Sequence, residues 1–184
     1  RRHTRFRNVT GVQTCALPIC DGLDFAQWLS NVNLLLSSGR VRAVHSMCTI
    51  NALCLDSLPS YLSLLLGLKQ RWGRERVSFT LNILRFPSFQ SALVLPDHIR
   101  DHYRACLAEW LEVNHDHPLL HEHERNHLQR LIDYLDVVKT PHTDAAEQPV
   151  LQQDFRQFYT QYDQRRGKDF CKTFPRLAEW YQSL

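Results

Sequence analysis

Apolar and polar positions alternate with two different periods along this chain, and the change of period marks its elements. From Asp24 to Leu36 the apolar residues Phe25, Trp28, Leu29, Val32 and Leu35 or Leu36 recur every three or four positions, the spacing of one helical face. Asp24 is placed to cap that helix and Ser37-Ser38-Gly39 to end it. Val41 to Ile50 carries almost no charge after Arg42 and predicts a strand; so continuous an apolar run suits a strand buried on both faces of a parallel sheet. Ser57-Leu58-Pro59 opens a second helix that runs to about Trp72, with proline tolerated in the first turn, where its missing N–H would have had no partner. Val77 to Leu84, rich in β-branched and aromatic residues, predicts a second strand. The segment from Arg85 to Gln90 reads as a loop with exposed aromatics, and Pro96-Asp97 starts a third helix carrying Ile99, Tyr103, Leu107, Trp110 and Leu111.

Helix, strand, helix, strand, helix in that order predicts α/β architecture with parallel strands. Two strands do not close a sheet, so further strands are expected upstream. The second half predicts helices at Leu119 to Lys139, Val150 to Arg166 and Asp169 to Leu184, the last broken near Pro175. A polar loop from Thr140 to Pro149 precedes the second of these, and Gly167 stops it. The expected organisation is an α/β unit over 21–114 and a helical extension over 115–184.

Residues 1–20 change the reading of composition. Val9-Thr10-Gly11-Val12-Gln13-Thr14-Cys15-Ala16-Leu17-Pro18-Ile19, with Arg1-Arg2-His3-Thr4-Arg5 ahead of it, resembles a translated sequencing adapter, and native sequence is expected to enter at about Asp21. The chain has 22 Lys and Arg against 19 Asp and Glu. Four of the basic residues (Arg1, Arg2, Arg5 and Arg7) lie in that segment, which leaves 18 basic against 19 acidic and a net charge of −1. A basic arm for nucleic acid or a membrane surface is therefore not expected. No window holds the roughly 18 apolar residues of a membrane span. Cys48, Cys54, Cys106 and Cys171 form no Cys-x-x-Cys pair, which suits reduced thiols in a cytoplasmic protein.

Two sets of residues could carry chemistry. His123-Glu124-Arg125-Asn126-His127 matches H-E-x-x-H, which on a helix presents two zinc ligands on one face with Glu124 as general base of a hydrolase. The same segment also reads as a solvated helix rich in histidine, since five of the chain's 10 histidines fall between His115 and His127. A third ligand is missing at any familiar spacing, with His142 in a loop the one candidate. The second set is Thr49, Asn51, Asn82 and Arg85, polar residues at the carboxyl ends of the two strands, where parallel α/β sheets bind ligands. Asn and Thr there also serve as turn and cap residues. The cysteines read as structural, Cys106 lying in a helix beside apolar neighbours.

The segment Met47-Cys48-Thr49-Ile50-Asn51-Ala52-Leu53 with its following helix, then Asn82-Ile83-Leu84-Arg85-Phe86-Pro87-Ser88-Phe89-Gln90-Ser91 and Leu93-Val94-Leu95-Pro96, resembles the later part of radical S-adenosylmethionine proteins of the twitch-domain type. Asp163 to Phe170 with Thr173-Phe174-Pro175 is similar to their C-terminus. That resemblance implies the last strands of a partial (β/α)6 barrel, S-adenosylmethionine across the strand ends beside a [4Fe–4S] cluster, a reductant protein, and a peptide or small-molecule substrate. It implies that Asn51 faces the cofactor, with Thr49, Asn82 and Arg85 as further contacts. The family's Cys-x-x-x-Cys-x-x-Cys is absent from this chain, so the resemblance implies a C-terminal fragment, inactive as written. A non-catalytic interaction domain is the remaining alternative.

Overall fold

The computed structural model describes residues 23–136 and 147–184. The adapter-like segment, His142 and most of the 140–149 loop lie outside the described residues. Helix α1 (Phe25–Ser37) leads into strand β1 (Val44–Ile50), helix α2 (Leu58–Trp72) and strand β2 (Val77–Ile83). A loop with two short 3-10 turns reaches α3 (Asp97–Asn114), followed by α4 (Glu122–Asp136). Helices α5 (Glu147–Arg166), α6 (Phe170–Thr173) and α7 (Ala178–Ser183) complete the chain. The chain is an α/β protein in which helices dominate.

β1 and β2 pair in parallel, with Val44 opposite Val77, Thr49 opposite Asn82 and Ile50 opposite Ile83. Alternation along the strands gives the sheet two unlike faces. Val77, Phe79 and Leu81 point into a core shared with Leu62, Leu65 and Leu66 of α2. The other face carries His45, Met47 and Thr49 beside Ser78, Thr80 and Asn82. It stays open, and Met47 is 70% exposed. The expectation that the first strand is buried on both faces is therefore corrected: β1 is a half-open strand, and what looked like a continuous apolar run contains outward-facing residues. The strand also starts three residues late. The guanidinium of Arg76 donates to the carbonyls of Val41 and Arg42, so these groups are bonded to a side chain.

Local signals set the helix ends. The Asp24 carboxylate accepts the Gln27 N–H at 3.0 Å and begins α1. Pro59 occupies the first turn of α2, and Gly73, at φ 103°, turns the chain out of it. Pro149 lies in the first turn of α5, where its missing N–H costs nothing, so this helix starts ahead of the expected Val150. Trp72 Nε1 donates to Asn33 Oδ1 at 2.9 Å and ties α1 to α2.

The two halves share one core. Arg100, 2% exposed, sends its guanidinium to the carbonyls of Leu93 and Leu95, while Gln148 and Gln152 from α5 reach the carbonyls of Leu93, Val94 and Leu95. The loop after β2 is thus held from α3 and α5 together, which satisfies buried carbonyls that no ladder can pair. At the far end Phe155, Tyr159, Phe170, Trp180 and Tyr181 form an aromatic cluster, with Phe170 stacked on Tyr181 at 4.0 Å. The expected boundary near residue 115 separates elements by sequence, but side chains from both sides of it build that core.

Candidate functional site

Polar groups gather where the sequence places them, at the carboxyl ends of the strands, but with different roles. Thr49 lines a groove of about 400 Å³ that runs along β1 beneath α1, walled by Phe25, Trp28, Cys48, Cys54 and Tyr61. Asn82 stands opposite Thr49 in register and is exposed on the same face. Further back on that face His45 bridges the strands, its Nδ1 2.8 Å from Ser78 Oγ and its Nε2 3.1 Å from Thr80 Oγ1. Asn51 is buried, and its Oδ1 accepts the Leu53 N–H at 3.0 Å, an Asx turn that swings the chain from β1 toward α2. Arg85 is exposed, with its guanidinium over the Tyr134 ring at 5.9 Å. The fold brings Thr49 and Asn82 together as neighbours on an open face, while Asn51 is engaged in the backbone turn.

The H-E-x-x-H segment lies at the start of α4, and its glutamate is held inside the core. Glu124 is fully buried and paired with the equally buried Lys69 of α2 at 2.6 Å. The same carboxylate accepts the Phe79 N–H of β2 at 3.0 Å and the His121 N–H at the start of its own helix at 2.9 Å. Lys69 also donates to the Leu119 carbonyl at 3.1 Å. Burial pushes the Lys69 ammonium down from its ordinary value, opposed by the hydrogen bond and charge of Glu124. Three donors converge on one carboxylate, so Glu124 is a structural clamp between α2, α4 and β2 and is not placed to activate water.

The flanking histidines make other contacts among the described residues. His121 and His123 stack with centroids 5.2 Å apart, and His127 Nδ1 accepts from the Arg130 guanidinium at 3.0 Å. Among the described residues no group of three His, Cys, Asp or Glu side chains is arranged to hold a metal ion. Of the zinc-hydrolase alternative, Glu124 is engaged by Lys69 and two backbone N–H groups, while the third-ligand candidate His142 lies outside the described residues.

The clamp has a consequence for the sheet. Phe79 N–H meets Glu124, and the Leu81 carbonyl accepts from Arg130 at 2.7 Å, so side chains of α4 cover the outer edge of β2. β1 pairs with β2 and with no other strand among the described residues. One edge of the sheet is closed by a helix, and the other borders the groove.

A second cleft of about 440 Å³ lies on the opposite side of α2, between it and α3. It holds His102 and Cys106, with Tyr103 and Trp110 in its wall and the Arg176–Asp56 ion pair at 3.2 Å on its rim. Cys106 is half-buried, and its Sγ lies 3.8 Å from His102 Nε2. The expectation of a structural thiol among apolar neighbours missed this contact. The four-residue spacing of His102 and Cys106 on one helix carries the signal.

No protein-family model matches this chain, and comparison with curated proteins and with solved structures found no match. No helix among the described residues is long and apolar enough to cross a membrane.

Proposed function

We propose that this chain is the closing part of a radical S-adenosylmethionine barrel, in which it supplies a wall of the cofactor and substrate cavity and not the cluster. The observation that carries the reading is the asymmetry of the sheet. Its α4-side edge is closed by Glu124 and Arg130, its β1 edge has no strand partner among the described residues, and its polar face is open at Thr49 and Asn82. A last strand pair in a barrel needs one sealed edge, one edge for the preceding strand and a polar inward face.

The described residues do not fit an iron–sulfur cluster. Cys54 Sγ accepts the Asn51 N–H and donates back to the Asn51 carbonyl, whereas Cys106 and Cys171 sit on α3 and α6. For the nucleoside and amino-acid portions of S-adenosylmethionine, the hydroxyl of Thr49 and the amide of Asn82 are suitable hydrogen-bonding groups beside an apolar groove. Their part is to bind and orient while Trp28 and Tyr61 exclude water.

The test starts from the gene. Upstream sequence from an independent read should encode a three-cysteine motif, and its absence overturns the reading. In the full-length protein, Thr49→Val with Asn82→Ala should weaken S-adenosylmethionine binding by about tenfold, the loss of roughly 1.4 kcal/mol expected for one or two hydrogen bonds. Unchanged affinity would remove these residues from the site.

A further inference from the structure

The His102–Cys106 cleft lies away from the strand ends and needs none of the preceding reading. His102 and Cys106 are one helical turn apart on α3 and face the same cavity. Cys106 Sγ is 3.8 Å from His102 Nε2, and the Arg176 guanidinium is 3.5 Å from the same nitrogen. A guanidinium has only donors, so the Nε2 that lies within reach of both Arg176 and the Cys106 thiol is read as the acceptor nitrogen of the ring. A thiol beside an unprotonated imidazole in an open cleft is the arrangement of an activated nucleophile.

The other described cysteines are placed differently. Cys54 Sγ is held in the turn after β1 by the Asn51 backbone, Cys48 Sγ contacts Ser46, and Cys171 Sγ accepts from the Gln182 amide. The cleft around Cys106 also offers what a substrate needs. Tyr103 and Trp110 provide apolar walls, and Arg176 provides a positive group at the rim, shared with Asp56 at 3.2 Å.

We propose that Cys106 and His102 form a reactive-thiol site that exchanges with low-molecular-weight disulfides bearing carboxylates, with Arg176 holding the carboxylate. His102 Nε2 takes the Cys106 proton as the sulfur attacks one sulfur of the disulfide. The new S–S bond forms as the old one breaks, and the departing thiolate recovers the proton from His102. Cys106 is oxidised to the mixed disulfide, and half of the incoming disulfide is reduced to free thiol, so no other oxidant is required.

The test uses the purified chain with limiting oxidised glutathione, reading modification at each cysteine by peptide mass spectrometry. Cys106 should react about tenfold faster than Cys48, Cys54 or Cys171. His102→Gln, a change at an exposed position, should slow that reaction by about tenfold or more and remove the histidine limb from its pH profile. Oxidised glutathione esterified at its carboxylates, a disulfide of similar size without those charges, should react several-fold more slowly than oxidised glutathione itself, and Arg176→Gln should erase the difference. Far-UV circular dichroism confirms that each variant is folded. The proposal is overturned if Cys106 reacts no faster than the other cysteines, or if folded His102→Gln keeps the parent rate and pH profile. Equal rates with both disulfides would remove Arg176 and the carboxylate preference.

Discussion

Replacing Glu124 with alanine should come close to unfolding the protein. The carboxylate is fully buried and receives Lys69 Nζ at 2.6 Å, the His121 N–H at 2.9 Å and the Phe79 N–H at 3.0 Å. Its removal leaves an ammonium group buried at 0% exposure without its counter-charge, a loss of about 3–5 kcal/mol. Two backbone N–H groups also lose their acceptor, at about 1–3 kcal/mol each where water cannot enter. These contributions overlap, so a total near 5 kcal/mol is the expectation, against roughly 5–15 kcal/mol for a whole domain. Lys69→Met alone strands the carboxylate and should cost about 3–5 kcal/mol. Lys69→Met with Glu124→Gln keeps an acceptor for one backbone N–H and removes both charges, and should recover much of that loss. The coupling between the two positions should reach roughly 1–3 kcal/mol. Urea titrations followed by far-UV circular dichroism, at a fixed protein concentration, of the parent, Lys69→Met, Glu124→Gln and their double measure the cycle, with Glu124→Ala titrated alongside. A midpoint change in Glu124→Ala worth less than about 1 kcal/mol would refute the clamp, because an exposed carboxylate would behave that way. The same titration with zinc or a chelator should leave the parent midpoint unchanged; a metal-dependent shift would restore the metalloprotein reading.

Other expectations follow from the same geometry. Asn51→Ala removes the acceptor of the Leu53 N–H and should cost about 1–2 kcal/mol by urea titration, with no loss identifying the turn as replaceable. The open edge of β1 should make the chain self-associate as concentration rises, and Met47→Lys should suppress this in sedimentation velocity; a monomeric parent would show the edge to be covered. Burial pushes the Tyr103 hydroxyl up to about 12 from its ordinary value of 10.0. Because the folded-state value is the higher one, its contribution of roughly 2–3 kcal/mol is complete below pH 10.0 and is lost as pH rises through about 12. Thermal unfolding should weaken across that window, and Tyr103→Phe should lessen the pH slope; an identical slope in Tyr103→Phe assigns the weakening to other groups.

Periodicity was the most legible information in the chain. The caps and breaks at Asp24, Pro59, Gly73 and Gly167 act on immediate neighbours, so their outcome can be read locally. The parallel arrangement of two strands separated by one helix was legible for a similar reason, since the connection is too long for a hairpin and the right length for a crossover. Which face of β1 is open was harder to read. Apolar character alone does not distinguish a strand buried on both faces from one whose Met47 stands in solvent.

The segment at 123–127 shows where local reading ends. Its spacing determines that His123 and His127 share a face of α4, and that Glu124 lies in the first turn beside the helix N-terminus. Its meaning depends on Lys69, 55 residues earlier, and on the Phe79 N–H of a strand between them. Sequence spacing along one helix specifies which residues are neighbours on that helix. It carries nothing about what approaches from across the core, and for a buried carboxylate that partner decides between catalysis and support. The chain by itself determined its elements, their order and the residues at the strand ends. Tertiary structure decided that one end residue forms a turn while two share an open face, that Glu124 is a clamp, and that His102 and Cys106 share a cleft with Arg176. Each of these depends on distances between segments far apart in sequence, which packing of the core sets and local propensity does not.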